Sequence, residues 1–377
     1  MSDLLADRRI VVCVGPGGVG KTTTAAAVAT RAAREGRKTL VTTIDPAPRL
    51  ADALGVALTA EPAAVPPAVA GALGLAPGML HVARLDTERA FAALVQEQVA
   101  DPAMRRRIFD NPIYRQITTT LTGSQEYAAT LALFDIVRRN EFDLVVLDTP
   151  PTANALDFLE APRRLAEAIS SPAIQWFARP AEDPGRFSLR RLRSGSALVL
   201  KRLAKFVGSQ FLEDVAAFLT DFQTVLGGFL ERAESVGERL RRADVAWLLV
   251  LAPEAPAVDE ALYFERRLRE AGIKLAAFVV NRLHARPGLT DADEVAAHLR
   301  ARPELADLSD ADIERVAAPL ARTALEVLQL CDAEDREVER LTRAWPATVL
   351  LRVPLFDEDV ATLATLGRVG EYLDVGR

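Results

Sequence analysis

The strongest chemistry in this chain of 377 residues lies in one short glycine cluster near the amino terminus. Gly15-Pro16-Gly17-Gly18-Val19-Gly20-Lys21-Thr22 fits the pattern G-x-x-x-x-G-K-[ST]. Glycines let successive backbone N–H groups turn inward around phosphate oxygens. A helix opening directly after them adds a favourable dipole. Lys21 then reaches the terminal phosphates, and the Thr22 hydroxyl binds Mg²⁺. Gly17, Gly18, Val19, Gly20 and Thr23 complete the predicted cradle. The plainer alternative is a glycine-rich turn that binds nothing, but a strand before the motif and a helix after it weigh against that.

Two acidic loops follow. Asp45-Pro46-Ala47-Pro48-Arg49 ends one apolar run, and Asp148-Thr149-Pro150-Pro151-Thr152 ends another. In open α/β sheets ligands bind at the carboxyl ends of strands, so both carboxylates are expected beside the phosphates. Asp148 fits the acidic residue that holds the Mg²⁺ shell, and Asp45 fits a group that orients or deprotonates water. For each, the structural alternative is a helix N-cap or an Asx-turn before proline.

The elements that must position these groups are legible as alternating runs. Arg9 to Val14, Lys38 to Ile44, Leu80 to Leu85, Asp143 to Leu147, Val245 to Leu251, Leu275 to Val280 and Ala347 to Val353 read as strands. Helical patterns fill Thr22 to Glu35, 86–107, 124–140, 257–271, roughly 310–342, and a closing segment after Asp357. The strands are continuously apolar, as in a sheet covered on both faces. The expected class is α/β: a mostly parallel sheet with helices on both faces, interrupted by an all-helical insertion. Residues 1–162 and 243–377 form the predicted nucleotide-binding domain, and 163–242 the insertion, with 86–125 packing on it. Residues 56–79, rich in Ala and Pro, read as a loop.

Composition narrows the function. Apolar residues make up 50% and charged residues 26%, which suits a folded core and excludes a disordered chain. A net charge of -6 argues against nucleic acid as a partner. Cys13 and Cys331 form no CxxC pair, and His81, His284 and His298 have no ligand spacing, so zinc is not expected. No basic leader and no spanning apolar run is present, and the cytoplasm is the expected compartment.

At its three loops the sequence resembles the arsenical-pump and tail-anchored-protein-targeting ATPases of the MinD-like group of P-loop proteins. That family writes the loops G-K-G-G-V-G-K-T, D-P-A-H-x-L-x-D and D-T-A-P-T-G-H. The corresponding segments here begin at Gly15, Asp45 and Asp148. Val279-Val280-Asn281-Arg282 is similar to the family's adenine-reading asparagine, and Val353-Pro354-Leu355 to its late adenine loop. The resemblance implies ATP and Mg²⁺ as ligands, with Lys21 and Thr22 on phosphate and metal. It implies Asp45 as the activator of water, Asp148 as the sensor of metal and γ-phosphate, and Asn281 and Pro354 on the base. It also implies a dimer whose helical insertions open and close with nucleotide state. Among the departures from it, Pro16 replaces the signature lysine, and Pro48 and Asn154 replace histidines. The family's zinc CxxC and its arsenite-binding cysteines have no counterpart.

Within the insertion, Phe211, Val215, Phe218, Phe222, Val225 and Phe229 recur at helical spacing and form one apolar face. It reads either as the insertion's own core or a dimer seam, or as a groove for an apolar client. Arg186, Arg190, Arg191, Arg193, Lys201, Arg202 and Lys205 form a basic run, read as a solvated face or as a peripheral contact with anionic lipid or an acidic partner. The leading expectation is a Mg²⁺-dependent ATPase whose nucleotide state switches a dimer to bind and release a client. The alternative, motivated by Pro16, is a nucleotide-binding regulatory subunit that hydrolyses little and pairs with a second P-loop ATPase. A MinD-like membrane-positioning ATPase ranks last, because Leu363 to Arg377 makes a poor membrane helix.

Overall fold

The computed structural model describes residues 2–45, 47–112, 114–115, 124–149, 234–358 and 363–373, with 167, 214, 218, 221, 228, 231 and 232. Eight strands form one sheet in the order β3-β4-β2-β5-β1-β6-β7-β8. They are β1 (Ile10–Val14), β2 (Thr39–Thr43), β3 (Ala63–Ala64), β4 (Leu80–Arg84), β5 (Leu144–Asp148), β6 (Val245–Leu251), β7 (Leu275–Leu283) and β8 (Val349–Pro354). All neighbouring pairs are parallel except β3–β4. The fold is therefore α/β, with helices packed on a mostly parallel sheet.

Strand composition explains the two-sided burial. Every residue of β1, β2, β5 and β6 is buried. Alternate residues of β1 serve different cores, as the period of two along a strand requires. Ile10, Val12 and Val14 pack with Phe91, Leu131, Phe264 and Leu341 from helices on one face. Val11 and Cys13 pack with Ala25, Val28, Ala29 and Ala32 of the helix Lys21–Arg34 on the other, together with Leu366 and Val369 of the helix Leu363–Glu371. Alanine dominates the buried side of Lys21–Arg34, so this helix can lie close to the strands.

Two expectations need correction. The stretch 56–79 is not simply a loop: it contains β3 and the helix Pro67–Ala72, which starts where Pro67 fixes a helical φ. The helical pattern 86–107 is two helices, Thr87–Gln98 and Pro102–Asp110. Asp101 ends the first run and caps the second, its carboxylate accepting the Ala103 N–H at 2.9 Å. The insertion 163–242 and its apolar stripe lie almost wholly outside the described residues, as does the basic run 186–205. Phe218 is the described member of the stripe; it is buried and belongs to the same core as Ile108 and Leu131. Nearby, Asp221 accepts two hydrogen bonds from Arg107, at 2.9 and 3.0 Å, and the Asp214 carbonyl accepts one from Asn111 at 3.0 Å.

Candidate nucleotide site

Register brings the site together. Cys13 pairs with Asp148 across β1–β5, and Thr43 pairs with Asp148 across β2–β5. The carboxyl ends of three adjacent strands thus meet at one level. The loop after β1 lies directly against the two acidic ends.

The loop's glycines are there because its backbone demands them. Gly15, Gly18 and Gly20 have φ of 151, 77 and 95°. A Cβ at Gly15 would overlap the Val250 carbonyl oxygen of β6, and one at Gly20 would overlap the Asn281 amide. Gly20 caps the helix Lys21–Arg34 in the left-handed region, with no side chain bonded to the first turn. The opening N–H groups of that helix therefore have no side-chain cap, as an anion-binding helix start requires.

Lys21 is buried and donates from Nζ to the Pro16 carbonyl at 2.6 Å. Burial lowers its pKa first, the Asp148 carboxylate pulls it back up, and Arg49 pushes it down again. Thr22 Oγ1 donates to Asp148 Oδ2 at 2.8 Å, and Thr43 Oγ1 approaches the same oxygen at 3.2 Å. Thr43 Oγ1 also accepts the Asp45 N–H at 3.1 Å. One threonine therefore links the two acidic strand ends, and sequence reasoning passed over it. A single hydroxyl at the last position of a strand carries no pattern in the sequence, and only the β2–β5 register brings it to Asp148.

Asp148 is only 2% exposed, and burial raises its pKa from 3.8 to about 6, against the lowering effect of the Thr22 and Thr43 hydroxyls. Its Oδ1 is buried and has no hydrogen-bond partner among the described residues. A buried carboxylate oxygen left unpaired is costly. With the Thr22 hydroxyl beside it, it suits a hard divalent cation, which takes oxygen ligands and keeps much of its coordination for water and phosphate. Asp45 does something different here. Its Oδ1 accepts the Ala47 N–H at 2.9 Å, an Asx-turn, and its Oδ2 lies 3.6 Å from Arg49 Nη1.

The remaining predicted residues fall at neighbouring strand ends. Asn281, in the last part of β7, donates from Nδ2 to the Val19 carbonyl at 2.8 Å, so it touches the loop itself. Pro354 ends β8 in register with Leu283, two residues beyond Asn281. Gly17, Gly18 and Val19 form the turn, and Thr23 lies in the first helical turn, where Thr24 Oγ1 bonds back to the Gly20 carbonyl at 3.0 Å. Cys13 is fully buried next to the site, and burial pushes its thiol pKa far up. It is a packing residue. Among the described residues no three His, Cys, Asp or Glu side chains gather to hold a metal, and no helix is long and apolar enough to cross a membrane.

Comparison with known proteins agrees with this geometry. The family described as anion-transporting ATPase matches residues 8–180. An uncharacterized protein of Streptomyces coelicolor is 35% identical over 199 residues, covering 52% of this chain and 44% of that protein. A Chlorobaculum tepidum protein named as an arsenical pump-driving ATPase is 24% identical over 341 residues, covering 88% of this chain and 73% of its own. The ATPase GET3 of Malassezia globosa is 27% identical over 160 residues, covering 42% and 44%. The chain thus spans less than half of the first and third relatives and about three quarters of the second. The phosphate loop and both acidic strand ends lie inside the stretch, residues 8–180, that is similar to the anion-transporting ATPase family.

Proposed function

We propose that this chain hydrolyses ATP with Mg²⁺ at the loop 15–22. The observation that carries this is the knot of Thr22, Thr43 and Asp148 at the mouth of an uncapped helix, with Lys21 held inside the loop. The backbone of Gly17 to Gly20 and the helix start would receive the phosphates. Lys21 would exchange the Pro16 carbonyl for a phosphate oxygen, a stronger acceptor for a cation. Thr22 and Asp148 would hold Mg²⁺, which supplies charge neutralisation at the phosphates. Asp45 would orient the attacking water once its Asx-turn opens, and Asn281 and Pro354 would border the base. Lys21→Ala and Asp45→Asn should each lower the turnover number by a factor on the order of 10² or more. Wild-type hydrolysis in either variant removes the assignment.

Nucleotide state would then switch a dimer, and with it the insertion, between shapes that accept and release a client. The similarity of residues 8–180 to the anion-transporting ATPase family supports this, and so does the relation to proteins named GET3. Phe218 shows what such a switch must do. It is 3% exposed, so any client groove there has to be opened against the protein's own packing. The second reading, a regulatory subunit with little hydrolysis of its own, is favoured by one observation. Position 16 offers the site a carbonyl already taken by Lys21 and no cationic side chain.

A further inference from the structure

The amino ends of the central strands hold a second concavity, on the opposite edge of the sheet from the phosphate loop. Arg9 stands just before β1, Asp244 just before β6, and Asn140 just after the helix Ser124–Arg139. The strand between the two ends is five residues long, which separates them by about 15 Å. Together with Arg138, Glu238, Arg239 and Arg242 they line a cavity of about 590 Å³. That is the size of a small-molecule pocket.

Its charge is unusual for this molecule. Four guanidinium groups face two carboxylates, in a chain whose net charge is -6. The guanidinium groups outnumber the carboxylates even with Asp135 counted beside Arg138, although Asp244 Oδ1 is itself buried without a hydrogen-bond partner among the described residues. Asp244 is shared, lying 2.7 Å from Arg239 and 3.7 Å from Arg242. Arg9 spends its hydrogen bonds on neutral acceptors, the Asn140 side chain at 2.5 Å and the Phe142 carbonyl at 3.3 Å. Arg239, whose side chain is 17% exposed, keeps a buried Nε–H without a partner among the described residues. A buried guanidinium N–H left unpaired is costly, and an anion would relieve it. Arg138 and Arg242 are mostly exposed and held only by long ion pairs, to Asp135 at 3.6 Å and to Asp244 at 3.7 Å, which a dianion would compete for. One wall is apolar, made by Phe134 and Val137. Asn140 helps to shape the floor: its φ of 55° turns the chain out of the helix and presents its side chain to Arg9.

We propose that this pocket binds a small organic phosphate monoester, its dianionic head among Arg138, Arg239 and Arg242 and its apolar body against Phe134 and Val137. Guanidinium forks suit phosphate oxygens, and the apolar wall selects against bare phosphate. The site is separate from the loop 15–22 and does not depend on hydrolysis there.

The probe is 1-naphthyl phosphate, titrated calorimetrically into the full chain with the loop 15–22 saturated by magnesium ADP. Saturable binding is expected, with 1-naphthol and inorganic phosphate each at least tenfold weaker. The double variant Arg138→Gln/Arg242→Gln, at two mostly exposed positions, should keep the wild-type Tm and lose at least tenfold in affinity. Absence of saturable binding by the wild type, or unchanged affinity in the double variant, overturns the proposal. So does binding that magnesium ADP abolishes, which would place the probe in the phosphate loop. Equal affinity for inorganic phosphate would overturn the apolar half of the assignment.

Discussion

At Asp148, burial and chemistry pull in opposite directions. A carboxyl group 2% exposed is raised to about 6, so its charged form is unstable in the ligand-free fold. The linkage to folding follows from that sign. Between the ordinary value of 3.8 and about 6, the folded chain keeps a proton that the unfolded chain has released. Stability therefore falls as pH rises through this window, and the full cost persists above it. The cost is on the order of 2–3 kcal/mol. Asp148→Asn, which retains an oxygen acceptor for Thr22 and Thr43, should raise Tm by several degrees near about pH 8 and by almost nothing near about pH 4. Thermal unfolding across that range checks it, and a lower Tm at the alkaline end contradicts it. The same proton competes with Mg²⁺, so metal-dependent nucleotide binding by the wild type should weaken below about pH 6. Asp148 was readable in the sequence because an acidic residue ending an apolar run has a positional meaning. Thr43 was not, because one threonine at a strand end has no pattern until the β2–β5 register places it opposite Asp148.

Elements fix the site by fastening loops to neighbouring strands. Asn281 holds the Val19 carbonyl, and β7 shifts register through Arg282, a non-glycine residue at φ 66°. Just beyond, the long helix Asp310–Ala344 grips the strand exit. Buried Glu334 accepts the His284 backbone N–H at 2.9 Å and lies 2.5 Å from its Nδ1, while Arg286 binds Asp332 at 2.7 Å and Asp335 at 2.8 Å. This helix is thereby coupled to the phosphate loop within a few residues of backbone. Glu334→Ala strips the acceptor from the His284 N–H and should cost about 1–3 kcal/mol. Hydrogen exchange across 281–286 should accelerate with it, and wild-type protection there would show that the helix does not hold the strand end. The long helix and the strands were legible because many residues repeat one period; Val245 to Leu251 was read to the residue. β3 was not, because two residues show no alternation, and its pairing with β4 is visible only in three dimensions. β7 runs three residues beyond the apolar stretch that predicted it, because Leu283 pairs with Pro354 after a register shift that passes over Asn281 and Arg282.

For the whole molecule the open question is where charge compensation comes from when a nucleotide is bound. A triphosphate brings several negative charges to a site that already holds Asp45 and Asp148. Against them stand Lys21, Mg²⁺ and the exposed Arg49, whose nearest acidic partner is Asp45 at 3.6 Å. Position 16 adds nothing. If Arg49 of the same chain suffices, specific activity is independent of protein concentration. If a second copy supplies the missing cation, only paired chains turn over, and specific activity rises with concentration until dimers saturate. The dimer reading predicts the second behaviour. It also predicts that the scattering mass, 40.8 kDa for one chain, doubles in magnesium and a nonhydrolysable ATP analogue and reverts in ADP. Constant specific activity with an unchanged mass would assign hydrolysis to the single chain. A chain that binds nucleotide, stays at that mass and hydrolyses only after a second P-loop protein is added would instead support the regulatory-subunit reading. A cation supplied in trans at such sites changes rates by factors of about 10³ to 10⁵, so the outcomes are well separated.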